Sequence, residues 1–172
     1  MVLSRFSPAA FCVVTATLAA VILAVVWAFQ LIGGYAPCAL CYEQRWGYYL
    51  AVPMLLTAAF MLQKDSNPMI AKLLILLSLI GFVHSAGIGI YQAGAEWELW
   101  PGPASCSLVS QAEDTGDLLS AMRGTKIASC TAPSIRILGL SFAGLNAISA
   151  SLLAMMTLLI LIYARHDRNQ KD

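Results

Sequence analysis

Gly33-Gly34-Tyr35-Ala36-Pro37-Cys38-Ala39-Leu40-Cys41-Tyr42-Glu43-Gln44-Arg45 is the first interruption in a long apolar run. Two glycines end a segment that carries no charge after Arg5, and Pro37 opens the next one. A Cys-x-x-Cys pair lies at the seam, with Arg45 four residues behind its second cysteine. Apolar sequence then resumes and continues to Lys64. The stretch reads as a short connection between two membrane-crossing helices, with a dithiol at the membrane edge.

The composition outside this stretch agrees. The chain is 59% hydrophobic and 11% charged, with a mean hydropathy of +0.75, whereas a soluble domain carries about 25% charged residues. Four charge-free intervals follow one another: Arg5 to Glu43, Arg45 to Lys64, Lys72 to Glu96 and Arg136 to Arg165. Each is near or above the roughly 17–25 residues that span a bilayer. The first is predicted to be an uncleaved helix, because its apolar core runs unbroken from Pro8 to Ile32, well beyond a signal h-region of about 7–15 residues. Net charge is +1 and there is no basic stripe, which argues against nucleic acid as a partner.

The prediction is an all-α membrane protein, a four-transmembrane-helix bundle forming one domain over residues 1–172. Its helices cover about 9–32, 38–62, 69–92 and 137–164, with loops over about 33–37 and 93–136. Pro37 suits the first turn of helix 2, where its missing N–H needs no partner. Gln63 to Pro68 reads as a compact polar turn. Gly81, Ser85 and Gly89 on helix 3, and Gly139, Ala143 and Ala147 on helix 4, form small-residue stripes that admit a close neighbour. Leu118, Leu119 and Met122 in the long loop suggest a short surface helix. Arg5, Lys64, Lys72, Arg165, Arg168 and Lys171 collect on one side, which places both termini in the cytoplasm and the dithiol and long loop outside.

Four of the five cysteines fall in the two outward loops: Cys38 and Cys41 in the first, Cys106 and Cys130 in the second. An oxidising outer compartment permits two disulfides. A structural bridge suits Cys106 and Cys130, which would staple a long loop, but suits Cys38 and Cys41 poorly, because closing so small a loop removes little unfolded-state entropy. A cysteine at a helix N-terminus is instead favoured as a thiolate, and Arg45 adds a positive charge one turn on. A haem site would need histidine after Cys41, where Tyr42 stands. Zinc lacks a suitable ligand spacing, so no metal site is expected. A dithiol in the membrane needs an electron acceptor, and the chain has no nucleotide, haem or iron–sulfur motif. A quinone entering between helices needs none, and Arg45 could hydrogen-bond its carbonyl.

Outside these loops, His84 and Asn146 are expected to form hydrogen bonds across the bundle and Cys12 to be a small core residue. Glu43 reads as an interfacial ion-pair partner, and Trp46, Tyr48 and Tyr49 as an interfacial aromatic belt.

Pro37-Cys38-Ala39-Leu40-Cys41 with Gln44-Arg45, Trp100-Pro101-Gly102-Pro103 leading to Cys106, and Cys130 followed by Leu138 to Asn146 resemble the DsbB family of quinone-dependent membrane thiol oxidases. The likeness runs along nearly the whole chain in the right order. It implies that Cys41 engages the quinone (ubiquinone or menaquinone) held by Arg45, with Cys38 the exposed partner that exchanges with the second loop. It implies that Cys106 is attacked by a periplasmic DsbA-like thioredoxin-fold protein and that Cys130 passes electrons to Cys38. The expected function is therefore a disulfide oxidoreductase of the bacterial inner membrane that reoxidises this partner with the quinone pool. Three other readings stay open: a paralogue serving one dedicated oxidase, a scaffold with structural bridges, and a reductase working in reverse like the vitamin K epoxide reductase group, whose helix order and cysteine placement fit less well.

Overall fold

The structure is a computed structural model and describes residues 7–35, 37–102, 136–137 and 139–169. Cys106, Cys130 and the suggested surface helix over Leu118 to Met122 lie outside the described residues. The described elements are α1 (Pro8–Leu31), α2 (Ala39–Gln63), α3 (Pro68–Glu96), β1 (Arg136–Ile137), β2 (Leu140–Ser141) and α4 (Phe142–Asn169). The first three helices, and Phe142–Ala164 of α4, are long and apolar enough to cross a membrane.

Local chemistry sets the ends. Ser7 caps α1 by accepting the Ala10 N–H, ahead of Pro8. In the polar turn between α2 and α3, Asp65 and Asn67 adopt positive φ, and the Asn67 side chain caps α3 at Ile70. The cap of α2 is Cys38 itself, whose sulfur accepts the Cys41 N–H at 3.2 Å. Pro37 therefore stands before the cap rather than in the first turn, so its ring directs the chain into the helix from outside.

Two boundaries differ from expectation. α3 continues to Glu96, one turn past Gln92, because the Trp100 ring folds back onto the bare face of Gly94. Its indole N–H donates to the Tyr91 carbonyl at 2.8 Å and its ring stacks on Tyr91. α4 starts at Phe142 rather than near Ile137. Arg136–Ile137 and Leu140–Ser141 form instead an antiparallel hairpin pairing Arg136 with Ser141 and Ile137 with Leu140. Gly139 turns it with φ +83°, and the Ser141 hydroxyl accepts the Gly144 N–H to open the helix. Gly139 is thus a turn residue and not part of the helix 4 stripe.

α3 is the central helix, packed along both α2 and α4, while α1 lies against α2 and touches α4. The small residues make this possible. A Cβ on Gly47 of α2 would collide with the Gly81 carbonyl and the Ser85 hydroxyl, and one on Gly89 would press on the backbone of Ala143 and Ala147. Cys12, Ala16, Tyr48, Leu55, Ile75, Phe82, Ala150 and Ile160 belong to the core between these contacts. The outer faces stay apolar, with Val21, Leu76, Val83 and Leu152 exposed, as a lipid-facing surface requires.

Three inward polar groups bind the bundle across its axis. The Tyr48 hydroxyl donates to Asn146 Oδ1 at 2.7 Å, Asn146 Nδ2 donates to the Ser85 carbonyl, and the Ser85 hydroxyl donates to the Gln44 carbonyl at 2.8 Å. Asn146 therefore fills its expected role, and Cys12 is wholly buried. Tyr48 belongs to this interior and not to an aromatic belt, whereas Trp46 and Tyr49 are exposed. His84 sits on the exposed face of α3 rather than bridging helices. Glu43 is also exposed.

Gly47→Ala should destabilise the protein by about 1–3 kcal/mol, since the added methyl meets backbone of α3. Gly87→Ala on the same bundle meets nothing within 4 Å. It should be neutral or stabilise by up to about 1 kcal/mol through helix propensity. Unfolding of both variants in mixed detergent, followed by circular dichroism, compares them directly.

Candidate functional site

The first turn of α2 meets the last two turns of α3 because the helices run antiparallel with a short turn between them. This brings the Cys38 and Cys41 sulfurs, 2.6 Å from each other, against Gln92. Gln92 Nε2 lies 3.5 Å from the Cys38 sulfur and 3.8 Å from that of Cys41. Its Oε1 accepts from Gln44 Nε2 at 2.7 Å, and its Nε2 donates to Glu96 Oε1 at 3.3 Å. Gln44, Gln92 and Glu96 are all buried. Glu96 Oε2 has no hydrogen-bond partner among the described residues, although the Ser141 hydroxyl and Arg136 act on the same carboxylate.

Cys38 is 6% exposed and Cys41 is half-buried, so Cys38 is not the exposed member of the pair. Its position as the helix cap turns the sulfur inward, toward the Cys41 N–H and Gln92. The neighbouring Cys41 sulfur and burial push the Cys38 thiol above the ordinary cysteine range, against weaker lowering by the Cys41 N–H and Gln92.

Arg45 occupies a different face of α2 and is nearly buried. Its Nη1 donates to Gln30 Oε1 of α1 at 2.7 Å. The guanidinium carbon lies 5.6 Å from the Trp27 ring centre and 5.2 Å from that of Tyr42, within cation–π range. Trp27 is in turn tied to the Tyr49 hydroxyl at 2.8 Å. Arg45 Nε is buried and has no hydrogen-bond partner among the described residues. An apolar cleft of about 250 Å³ opens between α3 and α4, walled by Ile90, Trp97, Trp100, Leu140 and Ile148, and touches neither Arg45 nor Cys38 and Cys41.

Of the residues singled out from sequence, the structure brings Cys38, Cys41 and Arg45 together at one end of the bundle. Cys106 and Cys130 lie outside the described residues. Among the described residues no cluster suited to a metal ion is found. Gln30, Gln92 and Glu96 are not among the residues that the Cys-x-x-Cys motif singles out. Their signal in the sequence is that of isolated polar side chains in charge-poor helices, with Gln92 and Glu96 four apart on one face, a spacing that a helix ending at Gln92 conceals.

The chain matches the family described as disulfide bond formation protein DsbB over residues 8–160, and it belongs to that family. It is therefore a multi-pass, four-helix membrane protein of disulfide bond formation, with disulfide oxidoreductase activity. It is also similar to an uncharacterised protein of Rickettsia prowazekii (strain Madrid E), 26% identical over 155 residues, covering 88% of this chain and 87% of the other. No solved structure matches it.

The burial pattern predicts unequal thiol reactivity. In folded, reduced protein a small maleimide should label the Cys38–Cys41 pair, while Cys12 reacts roughly a hundredfold or more slowly because it is sealed in the core. Peptide mapping after timed labelling measures this, and unfolding in SDS should abolish the difference.

Proposed function

We propose that this DsbB-family protein reoxidises the dithiol of a DsbA-like thioredoxin-fold partner in the bacterial periplasm and passes the electrons to membrane quinone. It would sit in the inner membrane with both termini cytoplasmic. The single observation that carries the quinone reading is Arg45: a buried guanidinium with an unpartnered Nε–H, next to two aromatic rings and one turn from Cys41. A buried charged donor without an acceptor is costly, and a quinone carbonyl is an acceptor of the right kind. The residues fit the group. Arg45 would hold it, Trp27 and Tyr42 would flank it, and when bound it would supply a sink for two electrons and two protons.

The chain's own part is a sequence of thiol–disulfide exchanges. The partner's thiolate attacks Cys106 in a Cys106–Cys130 disulfide, forming a mixed disulfide and releasing the Cys130 thiolate. The second partner thiol then resolves that mixed disulfide, leaving the partner oxidised and Cys106 reduced. Cys130 attacks Cys38 in a Cys38–Cys41 disulfide and releases Cys41 as the thiolate, and Cys106 then closes on Cys130 and frees Cys38. Cys41 is the leaving group one helical turn before Arg45, and a leaving thiolate is favoured by a nearby fixed cation. Because Cys38 is buried, this exchange needs the first turn of α2 to be uncovered when the second loop docks.

Purified protein mixed with a reduced thioredoxin-fold oxidase and a soluble ubiquinone analogue should reduce the quinone, as followed by its absorbance. Cys41→Ser and Cys38→Ser should each abolish turnover, and retained turnover would overturn the reading. Arg45→Gln should raise KM for quinone about 10–100-fold, the worth of one charge-assisted hydrogen bond, and leave KM for the partner unchanged.

A further inference from the structure

Gln92 is the residue that the dithiol touches most and that thiol exchange as written above does not use. Its side chain approaches both sulfurs, and both its ends are spoken for by other buried groups. Those partners set the orientation of the amide. Gln92 Nε2 donates to Glu96 Oε1 at 3.3 Å, so the NH2 group is the end on the Glu96 side. Gln44 agrees, donating its own NH2 to Gln92 Oε1 at 2.7 Å. One N–H of Gln92 then goes to Glu96, which leaves the other for the sulfurs of Cys38 and Cys41, 3.5 and 3.8 Å from Nε2; Oε1 is farther from both, at 3.9 and 4.0 Å.

We propose that Gln92 is a further catalytic residue: its amide N–H donates to whichever sulfur of the Cys38–Cys41 pair carries negative charge during exchange, with Gln44 and Glu96 as the positioning residues that aim it. The inference rests on reading that pair as the redox centre. Negative charge must pass from one sulfur to the other when the disulfide opens or closes. A donor shared between them follows the charge without moving, as preorganised donors do at other developing anions. Among the described residues the charged groups around the pair are few. Arg45 on α2 is turned to Gln30 of α1, Glu96 is the charge at this end of α3, and Arg136 of the hairpin acts on Glu96. Glu43 is exposed to solvent on the same turn of α2. α1 carries no charged residue.

The test uses the full chain in detergent with Cys12, Cys106 and Cys130 each replaced by alanine, so that the pair alone titrates. The pH dependence of alkylation gives its thiolate midpoint, and equilibration with glutathione gives its reduction potential. Gln92→Met keeps the length of the side chain and removes the donor. It should lower the thiolate fraction at pH 7 about tenfold, a rise of about one pH unit in the midpoint. Because the reduced form loses its stabilised thiolate, the pair should also become more reducing, by about 30 mV for a tenfold change in the equilibrium. Gln92→Leu also removes the donor with a shorter, branched side chain, so its shift should have the same direction and a similar size. An unchanged midpoint in both variants overturns the proposal, as does a shift in one that the other restores, since that would point to side-chain shape alone. Should Gln92→Met fail to fold by circular dichroism, the Leu variant decides by itself. Neither readout needs quinone or partner, so a wild-type protein unable to reduce quinone would defeat the proposed function and leave this assignment standing.

Discussion

Gly47 of α2 rests on the Gly81 carbonyl and Ser85 of α3 without room for a single added carbon, and the site depends on that approach. The two helices are antiparallel, so one contact sets the register of all the others. Moving three residues toward the start of α2 brings Gln44, whose carbonyl accepts from Ser85 one turn further along α3. Moving two turns more brings Cys38, opposite Gln92. A bulkier residue at Gly47 would push the helices apart and separate the sulfurs from the amide, although none of these groups is near the glycine. Without a hydrophobic drive between helices inside lipid, such close packing and the hydrogen bonds it allows must hold the bundle together.

The same short helical turn serves two different neighbours. Cys38, Cys41 and Gln44 look toward α3, whereas Arg45 looks toward α1 and finds Gln30, with Trp27 close to its guanidinium. The rotation of about 100° between successive helical residues is what separates Gln44 from Arg45. It lets one segment present a sulfur pair to a neutral amide on one side and hold a cation among aromatic rings on the other. Cys41 lies four residues before Arg45, on the part of the turn that can reach both.

How far this was legible in the sequence follows from what lipid does to side-chain patterns. Four charge-free intervals are enough to count the helices, and the Cys-x-x-Cys spacing with Arg45 behind it is enough to locate the site. The rotation of each helix about its axis is not legible in the same way. The outward face of a membrane helix is as apolar as its core, so hydrophobic periodicity does not say which side is inside. Pattern alone therefore puts Tyr48 in a belt, whereas it is buried, and His84 in the interior, whereas it is exposed. The relative burial of Cys38 and Cys41 inverted for a local reason, the capping role that draws the Cys38 sulfur inward. Glu96 reads as loop because Trp97 and Trp100 look like an ending, and only the fold-back of Trp100 onto Gly94 and Tyr91 shows the helix running on.

Two buried charges flank the dithiol, and they are not paired with each other: Arg45 is tied to Gln30, and Glu96 to Gln92. Burying an ion away from water costs several kcal/mol, recovered when an opposite charge or a full set of hydrogen bonds meets it. Each of these keeps one polar atom without a hydrogen-bond partner among the described residues, Nε of Arg45 and Oε2 of Glu96. Stability alone would favour joining the two or replacing both with apolar residues of similar volume. Keeping them apart, one on each side of a sulfur pair, makes sense where charge is transient. A thiolate formed at Cys41 gains from the cation behind it and from the amide that Glu96 holds in place, and both are in position before the charge arrives. The two unpaired atoms are not equivalent in this respect: Arg45 Nε is a donor open to an acceptor from outside the bundle, whereas Glu96 Oε2 is an acceptor and gains nothing from a negative sulfur.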